Sequence, residues 1–215
     1  ELFTLTAGLE KHAKAHGMDW AFVTLTAPPR MHINPENGNN SWDGTLPREA
    51  HKWIHEQWRK AVKRWEKAGI KAAGLRVTEP HKDGTPHWHI LLFTYPEHID
   101  DIEQELRKQE EWKSEAGMKF VRNDGRAKAS TYLFKYLQKQ ISTGFDFGET
   151  EYFTIDTNDP SDAEKVDAWR STHAIRSYQF MGMPALTLWR SLRKLTTTPS
   201  DPTLQSAWRA ARRGD

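Results

Sequence analysis

The residues best suited to chemistry begin with His87-Trp88-His89, at the head of the apolar run HWHILLF. In a β-strand alternate side chains point to opposite faces, so both imidazoles share one face and Trp88 takes the other. Two neutral imidazoles on one face can chelate a divalent ion, although a His-x-His pair also serves purely structural ends. Glu79, on a preceding extended segment, could add an oxygen ligand. Two nitrogens and one carboxylate would leave positions open for water and substrate, the arrangement of metal-assisted chemistry. His81 shares the parity of Glu79 and is its rival as third ligand. Register decides between outcomes. A two-residue turn at Asp83-Gly84 sets Pro80 across from His87 and turns Glu79 to the wrong face. A three-residue loop, or a bulge at Pro80, sets Glu79 opposite His89. Glu79 is the preferred ligand.

A second constellation lies at 132–139, YLFKYLQK. Tyr132, Lys135, Tyr136 and Lys139 fall at i, i+3, i+4 and i+7, so on a helix both phenols and both ammoniums share one face. Leu133, Leu137 and Ile141 fall on another side and can anchor the helix to a core. One reading is structural: amphipathic tyrosines at a core rim beside snorkelling lysines. The other is a pair of nucleophiles, whose ordinary pKa of about 10 makes them weak until nearby ammoniums favour the phenolate or balance phosphoryl oxygens.

The elements that must position these groups can be read in outline. Residues 3–16 predict a helix closed by Gly17, and WAFVTLTA at 20–27 a strand ended by Pro28-Pro29. Residues 32–45 are Asn- and Gly-rich loop. Pro47 opens a helix with apolar positions Ala50, Trp53, Ile54, Trp58, Ala61, Val62, Trp65 and Ala68, ended by Gly69. Those tryptophans are read as core. Ala73–Glu79 and Trp88–Thr94 predict two strands of a hairpin around Asp83-Gly84. An acidic helix at about 98–114, a strand Met118–Arg122, a turn at 123–125 and a helix over 127–141 follow. Beyond an acidic linker at 146–162 come a helix near 162–170, an extended piece at Ser177–Met181, and a helix after Pro184. A linker at 196–203 leads to a final basic helix. The order implies an α+β fold with an antiparallel sheet. A domain is expected over 1–195, with its core at about 20–145 and a helical part reaching 195, and 196–215 as linker and tail.

Composition narrows the classes. The 215 residues include no cysteine, which excludes a disulfide scaffold, a cysteine nucleophile and thiolate metal sites, and suits a reducing compartment. No run approaches the ~18 apolar residues of a membrane span, and no secretory signal opens the chain. The chain begins at Glu1 and ends Ala-Arg-Arg-Gly-Asp, so it is expected to be part of a longer protein. A formal charge of only +2 conceals alternating blocks: net +6 over 59–76, −4 over 100–115, +5 over 119–139, −7 over 146–167 and +7 over 170–213. Each block could be a solvated helix face, but three basic blocks converging on a polyanion is the expectation they share. The ten tryptophans suit base stacking as well as packing.

Together, TLTAP at 24–28, EPHKDGTPHWHILLF at 79–93 and YLFKYLQK at 132–139 resemble the three motifs of HUH-type rolling-circle replication endonucleases. More narrowly, they resemble the bacteriophage replication gene A protein family, and WDGTLPREA at 42–50 and Gln179–Leu195 are similar to it too. The resemblance spans roughly residues 20–195 and rests on three motifs in the right order. It implies an antiparallel sheet of about five strands with flanking helices, bearing the metal site and faced by the tyrosine helix. It implies cleavage of single-stranded DNA at a replication origin, leaving a 5′-phosphotyrosyl link and a free 3′-OH for the host polymerase. Residue by residue, His87 and His89 would be metal ligands with Glu79, for Mg²⁺ or Mn²⁺, and Tyr132 and Tyr136 the nucleophiles. Lys135 and Lys139 match the lysine after each tyrosine, while Phe134 stands where a small residue is usual. Thr26, Arg30, Arg76 and Arg122 are the expected DNA contacts. The expected partners are origin DNA and the host replicative helicase and polymerase, in the cytoplasm of a bacterial host and without a membrane. Alternatives are a relaxase or transposase of the HUH class, which would point to His81, a single-stranded DNA-binding module without catalysis, and a structural metal protein.

Overall fold

The computed structural model describes residues 2–35, 38–126, 128–131, 133 and 160–213. Five strands form one antiparallel sheet, β1 (Asp19–Thr26), β2 (Ala73–Pro80), β3 (Pro86–Thr94), β4 (Met118–Arg122) and β5 (Tyr178–Met181), in the order β4-β1-β3-β2-β5. The fold is α+β, with helices against an open sheet. β3 is central and buried along nearly its whole length, which is why its sequence is apolar on both faces rather than alternating.

One face carries Trp88, Ile90 and Leu92 of β3 and Val23 and Leu25 of β1. They pack with Ala50, Ile54, Trp58, Ala61 and Trp65 of α2 (Pro47–Lys67) and Ile102 and Leu106 of α3 (Ile99–Arg107). Pro47 starts α2, and Glu49 reaches back to accept the Leu46 N–H at 2.9 Å, so orphan donors of the first turn are satisfied. Gly69, at φ 82°, takes the left-handed turn that ends it. Trp58 and Trp65 pack edge to face with ring centroids 5.2 Å apart, core residues rather than stacking platforms.

The opposite face carries the histidines. Toward its other end Trp20, Phe22, Leu75, Val77, Leu91 and Phe93 form a second cluster, closed by Leu9 and Ala13 of α1 (Leu2–Ala15) and by Ala129 and Leu133. Gly74, beneath it, has no room for a side chain: a Cβ there would stand 2.1 Å from the Leu91 carbonyl oxygen.

Two expectations need correction. The acidic helix at 98–114 is three pieces: a 3₁₀ turn Pro96–His98, α3, and a 3₁₀ turn Glu110–Trp112. The break lets Trp112 enter the core fully buried, with its indole N–H donating to the Thr26 carbonyl at 3.1 Å. Arg107 makes good the interrupted backbone by donating to the Trp112 and Lys113 carbonyls. Neither expected hairpin register forms, because five residues, 81–85, lie between Pro80 and its partner Pro86. The final basic helix forms where it was expected, as α6 (Pro202–Arg213), packed on α5 (Leu186–Lys194), and Trp208 and Arg212 both donate to the Leu195 carbonyl. The expected helix at 127–141 is helical at 129–131 and 133; the rest of it, including Tyr132, Lys135, Tyr136 and Lys139, lies outside the described residues, as does the linker up to 159. The chain resumes with α4 (Pro160–His173).

Candidate functional site

Glu79 pairs directly with His87, and Val77 with His89, so Glu79, His87 and His89 occupy one sheet face. Directly paired residues of antiparallel strands point the same way, so the five-residue loop achieves by another route what a three-residue loop would have done. Glu79 Oε2 lies 3.5 Å from His89 Nε2, diagonally across the pair, and the two imidazole centroids are 4.9 Å apart. Glu79 and His89 are buried, 8% and 4% exposed, in a region where an ionic group must be compensated.

On the other side β1 presents Thr24 opposite His89 and Thr26 opposite His87. Thr26 Oγ1 is 2.8 Å from His87 Nε2, and Thr24 Oγ1 is 3.2 Å from His89 Nδ1. Each imidazole therefore has one nitrogen occupied by a hydroxyl. The other, Nδ1 of His87 and Nε2 of His89, is turned away from its threonine, and the hydroxyl, which can donate or accept, holds the ring's orientation. Burial holds the His87 imidazole well below its ordinary pKa, with His89, His81 and His32 adding repulsion in the same direction. Neutral imidazole is the form that binds metal. The donor set of two imidazoles and a carboxylate fits a divalent ion.

The hairpin loop that joins Glu79 to His87 is held at several points. His81 N–H donates to the Thr85 carbonyl at 2.7 Å, and Gly84 takes φ 81°. Asp83 accepts the Thr85 N–H at 2.9 Å and faces His32 at 3.0 Å. From α4, the Trp169 indole N–H donates to the Gly84 carbonyl at 2.9 Å. His81 lies between His32 and His87, with ring centroids 5.5 and 5.4 Å away.

The four residues expected to touch DNA are all engaged within the protein. Thr26 is on His87. Arg30 pairs with Asp43 at 2.9 Å, a carboxylate held down at about 2 by the Thr45 hydroxyl and by Arg30. Arg122 pairs with Asp100 at 2.8 Å and also with Glu103. Arg76 points away from the histidine face. It lies on the Trp88 face, 3% exposed, with its guanidinium 4.0 Å over the indole. Its Nε has no hydrogen-bond partner among the described residues, and burial lowers its pKa to about 10. A phosphate could reach it only by opening that stack. Beneath the same indole, His51 Nδ1 accepts the Trp88 N–H at 3.1 Å.

Sequence reading missed Thr24 and His32. Thr24 and Thr26 have the same period-two spacing as His87 and His89, a signal visible in TLT. His32 sits in an irregular loop and gave none.

Comparison with known proteins now bears on this arrangement. The family model described as bacteriophage replication gene A protein (GPA) matches residues 1–144, two thirds of the chain. The chain belongs to that family. It is 34% identical over 221 residues to the replication protein of Haemophilus phage HP1, covering 98% of this chain and 28% of that protein. It is 32% identical over 241 residues to the replication gene A protein of Escherichia phage P2, covering 100% and 31%. It is also 32% identical over 206 residues to a probable replication endonuclease from a prophage-like region of Salmonella typhi, covering 91% and 26%. The chain thus spans about three tenths of the length of these relatives. The segment matched to the gene A family contains β1, the Glu79–His89 hairpin, and Ala129 and Leu133, which join the apolar cluster on the histidine face.

Proposed function

We propose that this chain is the nicking and joining domain of a replication initiator, cleaving single-stranded DNA at an origin through a 5′-phosphotyrosine intermediate. The observation that carries this reading is the placement of Glu79, His87 and His89 on the sheet face whose apolar cluster receives Leu133, the neighbour of Tyr132 in sequence. Family membership, and the printed name of the Salmonella relative as a replication endonuclease, support the reaction class.

His87, His89 and Glu79 would hold Mg²⁺ or Mn²⁺. When bound, the ion supplies Lewis-acid polarisation of the scissile phosphate. Thr24 and Thr26 hold the two rings in one orientation. The phenol oxygen of Tyr132 or Tyr136 attacks phosphorus; the new O–P bond forms as the bond to the DNA 3′-oxygen breaks, and the phenolic proton is replaced on the leaving 3′-OH. Lys135 and Lys139 favour the phenolate and balance charge on the phosphoryl oxygens. Because one ester replaces another, the 3′-OH can reverse the step, so cutting and joining use one site. Two tyrosines allow a second cleavage while the first remains loaded. The DNA, the host helicase and the polymerase are the partners this reading requires, inside the bacterial host. Among the described residues no helix is long and apolar enough to cross a membrane.

The test is a labelled origin oligonucleotide incubated with Mn²⁺. His87→Ala and His89→Ala should each abolish cleavage while keeping the circular-dichroism signature of the sheet, since the ligand atoms are lost and the backbone ladder is not. Metal-dependent cleavage persisting in the double variant contradicts the site; binding without any cleavage by the unaltered chain reduces it to a binding module.

A further inference from the structure

Beside the histidine pair, but formed by other residues, lies a second cluster of ligand atoms. His32 follows the 3₁₀ turn Pro29–Met31, and His81 and Asp83 stand on the hairpin loop. Ligand atoms of all three lie within 4.8 Å of one another. The His32 and Asp83 side chains are 9% and 2% exposed, so neither is a solvated surface group.

The hydrogen bonds make the arrangement electrostatically unusual. His32 Nε2 is 3.3 Å from the Ala27 carbonyl oxygen, which can only accept, a contact made by the tautomer with its proton on Nε2. In the neutral ring Nδ1 then bears a lone pair, and that lone pair stands 3.0 Å from Asp83 Oδ2, another acceptor. A metal ion seated between that lone pair and the carboxylate would be held by both. An imidazole with one nitrogen bonded to a backbone carbonyl and the other facing a carboxylate has the orientation of a metal-ligating histidine. Asp83 is itself fixed, one oxygen accepting the Thr85 N–H at 2.9 Å and the other approached by the Asn34 N–H at 3.4 Å. His81 adds a second imidazole, edge-on to His32 at 5.5 Å between centroids.

We propose that His32, His81 and Asp83 form a second divalent-cation site, separate from Glu79, His87 and His89. Two nitrogens and one oxygen suit a borderline transition-metal ion such as Zn²⁺ or Mn²⁺ rather than Ca²⁺. Bond lengths of about 2.0–2.2 Å place ligand atoms about 3–3.5 Å apart, so a small closure of His81 completes the set. The ion would tie the loop after β1 to the loop that connects Glu79 with His87, and so fix both strand ends that carry the first site. His81 is then committed here, and Glu79 is left as the oxygen ligand of the first site. This inference goes beyond the nicking reaction and does not depend on it.

Calorimetric titration of the chain with Zn²⁺, and Mn²⁺ counting by electron paramagnetic resonance, test it without reference to cleavage. The unaltered chain should bind two ions and the His87→Ala/His89→Ala variant one. Adding His81→Ala to that variant should remove the remaining ion, and adding Asp83→Asn should weaken it at least tenfold. Because His32 is buried, His81→Ala, at a half-exposed position, serves as the variant least prone to misfolding. In the His87→Ala/His89→Ala background, Zn²⁺ should raise the melting temperature, and His81→Ala should erase that rise. A single ion in the unaltered chain, lost entirely with His87 and His89, overturns the proposal and leaves His32 and Asp83 a plain hydrogen-bonded pair. So does a retained ion that is insensitive to both His81→Ala and Asp83→Asn.

Discussion

In the proposed site the nitrogen that each of His87 and His89 can turn toward a metal depends on ring orientation, and two threonines hold that orientation. Thr26 on His87 Nε2 and Thr24 on His89 Nδ1 are short side chains from a neighbouring strand, locked by the sheet register and unable to wander. Thr26→Val keeps the shape and removes the hydroxyl, so it should weaken metal affinity about 10- to 100-fold while the melting temperature changes little. Titration of Mn²⁺ into the variant checks this; unchanged affinity would mean that the ring is oriented by packing alone. On the other face His51 gives a pH signature. Its Nδ1 accepts the Trp88 indole N–H, and burial lowers its pKa from the ordinary 6.5 to about 4, with the Arg76 charge acting in the same direction. The unfolded chain takes up that proton first. Stability from this group is therefore present above about 6.5 and lost as pH falls toward about 4. His51→Asn offers Trp88 an acceptor that does not titrate; its melting temperature should fall less steeply than that of the unaltered chain over this interval.

At the level of elements, periodicity and punctuation made most of the fold legible. β4 falls at Met118–Arg122 as read, and α2 begins at Pro47 and ends beside Gly69, because these segments are short or strongly patterned. The acidic helix was misjudged because its charges continue through the break while the reason for the break is tertiary: Trp112 needs a place in the core. The hairpin was misjudged for a similar reason. Asp83-Gly84 looks like a two-residue turn, yet Asp83 is turned toward His32, fifty-one residues earlier, and Gly84 is held by Trp169 from α4. Local sequence contains neither partner. Parity alone could place His87 with His89, but it could not place Glu79, whose face depends on the loop length.

For the whole molecule, the alternating charge blocks are partly complementary to each other. Arg64 of α2 bonds Glu105 of α3 through both its carboxylate and its carbonyl, each at 2.6 Å, and Arg122 of β4 pairs with Asp100 of α3. The acidic block thus neutralises parts of two basic ones, which a linear count could not reveal. Salt dependence of binding to single-stranded DNA should accordingly report fewer contacts than the basic residues suggest, at about 0.7 log units of affinity per neutralised phosphate per decade of salt. A slope near zero would mean that the remaining cations are only solvated surface. The proposed function as a whole requires Tyr132 and Tyr136 to act on a phosphate held at Glu79, His87 and His89. The most direct measurement is the covalent adduct on a labelled origin oligonucleotide, mapped by proteolysis and mass. The account predicts adducts with Tyr132→Phe and with Tyr136→Phe, at different rates and with Tyr136 the expected initiator, and none with both replaced. An adduct formed by the double variant, or cleavage by the unaltered chain that leaves no protein attached to a 5′-phosphate, would contradict it.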